Sequence, residues 1–504
     1  MIDASLLIPG ETRIRDDDGF CGTVVYAGPV ASASAKNSKE VYAGISWDDT
    51  SRGKHDGSVI CRTTNQLVRH FACGPTQGSF LRLHKLDLGV ALDAGLLKNK
   101  YVERQAPVIA PNNVLPHTAR TSSGRDKPIE FLGELQIRER QQLEDLDKIS
   151  LRREGISSLT TDNLSKFAHI KDVDLAGNLL SNWKVILDIS QQFPSLTNMS
   201  LACNRIRDVD LPVIQLINLQ VLNLNSCSLS SFATIQWIDK SMPNLQELCV
   251  AYSDLRDIES FGDDLTFPQL QNLDCSSSQV SSWSAFAVKF SKLPQLQQLS
   301  LDDNPIPTIP ESTEPSFVSL KSLQLAGTAI ASWKDFEGIN SLNIQSLRLK
   351  KTALTATMGQ GEARSMTIAR VPTLQHLNAS AISTKERIEA ERRYVSLVTR
   401  LLAQADDEQA RAKISSDNFQ FPALQEKHKD MVLLTKSQGD GSNLASSVCN
   451  VQIISMAASS CSMEPLQRRL PGTLQVGRLK ALCARAFGLD VDCMSLYYRT
   501  EVRT

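Results

Sequence analysis

The chain has 504 residues, 22% charged and 41% hydrophobic, with a formal net charge of −1, so it is long enough for several cores of roughly 100 to 200 residues each. That charge balance excludes a global pull toward nucleic acid or anionic membrane, and any charge recognition has to be local. No apolar run approaches the roughly 18 residues that cross a bilayer, and the opening "MIDASLLIPGETRIRDDDG" lacks the basic start of a signal peptide.

The 11 cysteines include no CxxC pair, which argues against a zinc module and against a disulfide framework. A soluble, intracellular protein with reduced, mostly buried thiols is expected. Four of them, Cys203, Cys227, Cys249 and Cys275, fall inside the repeats described below.

In residues 1–100, short β-like runs ("GTVVYAG", "VYAGISW", "GSFLRL") alternate with Gly, Asp and Pro signals and predict a small all-β barrel. One turn holds "RGKHDGSV", Arg52 to Val59. As a Walker A phosphate loop it fails twice, with Asp48 in place of the first glycine and His55 in place of Ser or Thr. As a catalytic site it offers Lys54, His55 and Asp56, but three neighbours on a turn point in different directions and no partner pattern orients one as a base. His84, His117, His169, His376 and His428 are likewise isolated and read as surface or packing residues.

Taken together, "GTVVYAG", "ISWDD", "GKHDG", "VRHFAC" and "GSFLRL" resemble the CAP-Gly domain, whose core motif is GKNDG, over roughly residues 5 to 90. The resemblance implies a groove for the acidic, aromatic-ended C-terminal tail of α-tubulin or of microtubule-binding partners, a form of chain-end capture. In that use Gly53 and Gly57 allow positive φ and close approach of a peptide. Lys54 offers an ammonium to a carboxylate, and His55 keeps a side-chain donor where Asn is usual. Trp47, Phe71 and Phe80 line the slot for a terminal ring. The glycines could equally serve only the turn, and the aromatics only the barrel core. The gap before the aromatic pair is longer than usual, and His70 sits where Tyr is common. An imidazole at His55 would also make tail binding mildly pH-dependent.

From residue 146 to 384 the template LxxLxLxxNxL recurs ten times. Units start at residues 146, 170, 196, 219, 245, 270, 296, 320, 344 and 374, so the spacings are 24, 26, 23, 26, 25, 26, 24, 24 and 30. Positions 4 and 6 of each unit should point into a shared core, and position 9 should hold a small polar residue. Asn178, Asn204 and Asn304 fill it in the expected form; Cys227, Ser253, Ser278, Thr328 and Thr352 are smaller substitutes. Return segments such as "LSNWKVILDISQQFPS" predict mostly short helices on the convex side of an α/β leucine-rich-repeat solenoid. "STKERIEAERRYVSLVTRLLAQ", Ser383 to Gln404, reads as an amphipathic helix capping its end.

Residues 406–445 read as a linker. Beyond it, "VCNVQIISM", the helical "TLQVGRLKALCARAFGL" and "MSLYY" suggest strand, helix and strand, and resemble the start of an α+β ubiquitin-like fold that lacks its last strands. The expected division is therefore 1–100 CAP-Gly, 101–140 linker, 141–405 repeats with helical cap, 406–445 linker and 446–504 ubiquitin-like.

With "GKHDG", "VDLAGNLLSNW" and "LNASAISTKERIEAERRYV" in this order, the whole chain resembles the tubulin-folding cofactor E family. That implies a cytosolic, cytoskeleton-associated chaperone that binds α-tubulin by its tail and its globular body. It would act with tubulin-folding cofactors D, C and B on the αβ heterodimer, and its ubiquitin-like end would reach the proteasome. No enzyme activity, cofactor, metal, nucleic acid or membrane is implied. The alternative is a microtubule-associated adaptor that decorates polymer with its CAP-Gly module.

Overall fold

The computed structural model describes residues 3–31, 40–103, 118–120, 126–128, 146–160, 164, 167–208, 212–260, 265–311, 317–356, 358–429, 448–457, 459–471, 474, 476–491 and 494–497. They fall into two compact units, Met1–Gln420 and Phe421–Thr504. Among the described residues no helix is long and apolar enough to cross a membrane.

The first unit opens with a sheet of order β1 (Arg13–Arg15), β2 (Cys21–Gly28), β3 (Tyr42–Trp47) and β6 (Gly78–Arg82), all antiparallel. A separate hairpin joins β4 (Ser58–Ile60) to β5 (Leu67–Arg69). Alternation along β2 and β3 sends Val24, Ala43, Ile45 and Trp47 into a core with Leu7, Ile14 and Leu86. The β2–β3 register shifts between Val24 and Tyr26, so Tyr26 pairs with Gly44. One extra residue there turns Tyr26 to the face opposite Val24.

The ten repeat units each contribute a short strand at positions 3–5, from Lys148–Ser150 to His376–Leu377, joined in parallel in sequence order. Position 4 is buried in every unit, from Ile149 through Leu222 and Leu299 to Leu377. Position 8 takes φ between +53° and +70° in the first nine units, at Arg153, Gly177, Cys203, Ser226, Tyr252, Ser277, Asp303, Gly327 and Lys351. Only two are glycine, although left-handed backbone costs other residues about 1–2 kcal/mol. The sharp turn carries the ladder past the strand, since Cys203 N–H donates to Asn225 O at 2.8 Å and Asp303 N–H to Ala326 O at 2.6 Å.

Where position 9 is Asn, it binds the turn to the previous unit. Asn304 Nδ2 donates to Cys275 O at 2.8 Å and Leu301 O at 3.1 Å, while its Oδ1 accepts from the N–H groups of Ser278 and Val280, both at 3.0 Å. Asn178 and Asn204 repeat the pattern. Ser278 Oγ and Cys227 Sγ keep one such bond, to Val250 O and Leu201 O.

The convex side departs from the expectation of mostly short helices. α-Helices form at Trp183–Gln191, Ala233–Ser241, Trp283–Phe290 and Gln360–Arg370. Arg256–Ser260 and Lys334–Leu342 are 3₁₀ helices, and the described residues between Ser200 and Val221 and between Ser300 and Ser322 contain no helix. Where the third unit lacks one, an apolar cavity of about 140 Å³ opens against Trp183, Leu187, Phe193, Met199 and Ile217.

At the far end, Ser380–Ala381 pairs antiparallel with His376–Leu377 and covers the last strand. The helix Thr384–Gln404 follows, and its Glu386 takes two bonds from Arg364, at 2.6 and 3.1 Å. The linker expected at 406–445 is not one over its described part. It carries helices Glu408–Ser416 and Phe421–Lys427. Buried Arg370 fixes the first of them by donating to Asp417 O at 2.8 Å and Asn418 Oδ1 at 2.6 Å. The linker expected at 101–140 lies mostly outside the described residues.

In the second unit Val448–Ile453 pairs antiparallel with Leu466–Pro471, and a helix follows at Val476–Phe487. The strand at Leu466–Pro471 was not expected, and "MSLYY" forms no strand over its described residues, 494–497. Nor are the thiols mostly buried: of the nine cysteines whose burial is described, only Cys227, Cys275 and Cys483 are. Burial pushes the Cys227 thiol up to about 12.

Candidate peptide groove

The turn "RGKHDGSV" is pinned to the start of β6. Lys54 and His55 N–H both donate to Gly78 O, at 2.7 and 3.2 Å, and Gly78 N–H returns a bond to His55 O at 2.7 Å. Gly53 makes this approach possible, because a Cβ there would lie 2.4 Å from Gln77 C. Gly57 has φ +92°, and its Cβ would meet Phe71 O at 2.1 Å. Both glycines therefore make room for the protein's own backbone, and Gly53 needs no positive φ.

Two side chains shape the turn from within. His55 Nδ1 accepts the Gly57 N–H at 3.0 Å, and Asp56 Oδ1 accepts the Ser58 N–H at 3.0 Å, both two residues on. This is the bond an Asn or Asp makes in an Asx-turn, so histidine at position 55 reproduces what Asn would do. The Ser58 N–H bond holds the Asp56 carboxyl below its usual range, and Arg69 pairs with its other oxygen at 2.8 Å.

Above the turn stands an aromatic cluster centred on Phe80. His55, Phe71, His70 and Tyr26 surround that ring with centroids at 5.0, 5.3, 5.4 and 6.2 Å. Tyr26 and His70 also face each other at 5.0 Å. Gly44 provides the floor, since a Cβ there would lie 2.5 Å from the Phe71 ring and 2.9 Å from Tyr26 Cβ. Phe71 is buried at 9% exposure, whereas Phe80, His55, His70 and Tyr26 are partly exposed. Lys54 is exposed at the rim with no ion pair among the described residues.

Of the expected site residues, the fold thus gathers Lys54, His55, Phe71 and Phe80 and sets Gly53 and Gly57 beneath them. Trp47 is the exception. It is 2% exposed in the barrel core and donates its indole N–H to Ser79 Oγ at 3.0 Å. Tyr26 and His70 were missed as wall residues. Gly44 within a strand was the available signal, because such a glycine marks a bulge or a close approach.

The barrel is also fastened to the repeats. β7 (Val90–Leu92) pairs in parallel with Ile156–Leu159. Gly89, at φ +80°, lets Gly155 O come so near that a Cβ would sit 2.2 Å away. Asp48 is shared between buried Arg13 of the barrel and Arg205 of the repeats, and Glu11 pairs with Arg207. Among the described residues no cluster of three or more His, Cys, Asp or Glu could hold a metal.

Comparison with known proteins gives the N-terminal module directly and relatives over nearly the whole chain. Residues 10–86 match the CAP-Gly domain family. The chain is similar to tubulin-folding cofactor E of Arabidopsis thaliana, with 28% identity over 99% of this chain and 92% of the relative. It is also similar to the tubulin-specific chaperone E of Danio rerio, at 27% over 95% and 91%, and of Homo sapiens, at 27% over 96% and 91%.

Proposed function

We propose that this chain, a homologue of tubulin-folding cofactor E over nearly its full length, is a cytoplasmic chaperone that binds α-tubulin and acts on the αβ-tubulin heterodimer. The observation that carries the reading is that the similarity covers 99% of this chain and 92% of the relative. Within the function the groove at Lys54, His55, Phe71 and Phe80 takes the acidic tail, its aromatic cluster receiving a terminal ring and Lys54 a carboxylate. The concave sheet face, lined by small and polar side chains such as Asn198, Ser200, Asn272 and Ser300, takes the globular body. The hairpin and helix of Phe421–Thr504 are read as ubiquitin-like and as the contact for other machinery, including the proteasome. Tubulin-folding cofactors D, C and B complete the partners.

This is binding chemistry, and none of its steps calls for a catalytic residue. Mixing the purified chain with αβ-tubulin and separating by size should give loss of dimer or a stable complex. The absence of both would remove the reading. Microtubule co-sedimentation separates it from the adaptor alternative, because an adaptor pellets with polymer and a folding cofactor depletes it.

A further inference from the structure

We propose that His55 and His70 are a proton-controlled pair of positioning residues, so that the groove is assembled only while both imidazoles are neutral. The inference rests on the groove reading above for its ligand, but its geometry stands independently.

Each ring is held by a backbone donor. Gly57 N–H points at His55 Nδ1, 3.0 Å away, and Ala31 N–H points at His70 Nε2, 3.2 Å away. A backbone amide can only donate, so each of those nitrogens must present a lone pair. That assigns the proton to Nε2 in His55 and to Nδ1 in His70. Adding a second proton turns either acceptor into a donor facing a donor, and the ring has to leave. Both rings are walls of the same cluster, at 5.0 and 5.4 Å from Phe80, so their departure unmakes the slot around that ring.

The surroundings favour the neutral forms. Burial is the largest influence on both rings and holds each below the ordinary value of 6.5. At His55, Asp56 pulls up and Lys54 pulls down from the same turn, while Asp56 is itself engaged by Arg69. The Cys73 thiol, whose Sγ bonds His55 O at 3.7 Å, brings no charge, and the β6 side offers only Gly78 and Phe80. Around His70 stand Phe80 and the Tyr26 phenol, which donates to Pro29 O at 2.7 Å, with Arg69 its chain neighbour.

With both values depressed, an opened groove binds more protons than the closed one. The closed form is fully favoured above pH 6.5 and loses ground as pH falls through the window below it. Simple charge attraction predicts the opposite, since two imidazolium ions would draw an acidic tail more tightly in acid. The substitution at position 55 gains a meaning here: Asn accepts the same N–H through an oxygen that does not titrate.

The test measures a fluorescent acidic peptide ending in an aromatic residue against the full chain at pH 7.5 and 5.5. Wild type should lose roughly three- to tenfold in affinity in acid. In the double variant His55→Asn with His70→Gln, the ratio between the two pH values should shrink to less than about twofold, whatever its affinity at pH 7.5. His55→Ala should weaken binding at both pH values, with Asn restoring it. Unchanged or tighter wild-type binding in acid, or an equal fall in the double variant, overturns the proposal. Nitrogen NMR of labelled histidine in the wild-type chain provides a readout without peptide: neutral Nε2–H at His55 and Nδ1–H at His70 support it, and either opposite tautomer or a charged ring at pH 7.5 overturns it. No peptide binding at pH 7.5 alongside the expected tautomers would sink the tail reading and leave the proton control standing.

Discussion

Asn304 is 1% exposed and serves five backbone groups at once. Replacing it with Ala leaves those groups without partners in the interior, so Asn304→Ala should cost about 2–4 kcal/mol, read as a lower urea midpoint. Thr328→Ala removes one bond, to Leu325 O, and should cost about 1 kcal/mol. Lys54 lies at the other extreme, exposed and with no ion pair among the described residues. Lys54→Ala should therefore leave the urea midpoint within about 0.5 kcal/mol while weakening an acidic tail peptide about 5- to 20-fold, the effect of one charge-assisted contact. Equal peptide affinity in titration calorimetry would remove Lys54 from the site. At this scale the sequence showed which residues form the turn, since GKHDG carries its own spacing. It could not show that Trp47 faces the core, because alternation along β3 has two possible phases, and the bulge in β2 decides the outward face of Tyr26 only through its pairing with β3.

Helix placement on the convex side follows repeat spacing. α-Helices occur where units are 26 or 30 residues apart, and 3₁₀ or extended segments occur at 23 to 25. The strands fix the distance a return segment must cover, and an α-helix advances only about 1.5 Å per residue. A unit two residues shorter has to cross in a more extended form. The spacings were therefore legible as helix signals, whereas apolar periodicity alone suggested helices nearly everywhere. The capping helix was visible from its amphipathic pattern, and Ser383 with Glu386 three residues on adds a capping-box start that the pattern alone did not use. Ser383 Oγ accepts the Glu386 N–H at 3.1 Å. Ser383→Ala should weaken that end by about 1 kcal/mol, seen as faster hydrogen exchange in the first turn of Thr384–Gln404 with the central strands unaffected.

In the first unit, the N-terminal module and the solenoid meet directly, by strand pairing and ion pairs, in addition to the linker expected at 101–140, most of which lies outside the described residues. Nothing in local sequence announces this junction, since its parts lie far apart: Glu11 meets Arg207, Asp48 meets Arg205, and β7 pairs with a strand more than 60 residues later. Exposed ion pairs contribute little singly, about 0–1 kcal/mol, so the strand pairing and the Gly89–Gly155 approach are the parts that set orientation. In the proposed function, a tail held in the groove and a body held by the repeats would belong to one partner. A fixed junction makes the second contact intramolecular, which raises overall affinity by about 10²–10⁴ when the geometry allows both contacts. Gly89→Ala tests this, because its Cβ would drive β7 away from Gly155 O. The variant should keep the wild-type affinity for an isolated tail peptide within about twofold and lose at least about tenfold for whole αβ-tubulin. Equal losses for both ligands would instead mean that the barrel itself had been damaged. No loss for either would mean that barrel and repeats bind independently of how they are joined.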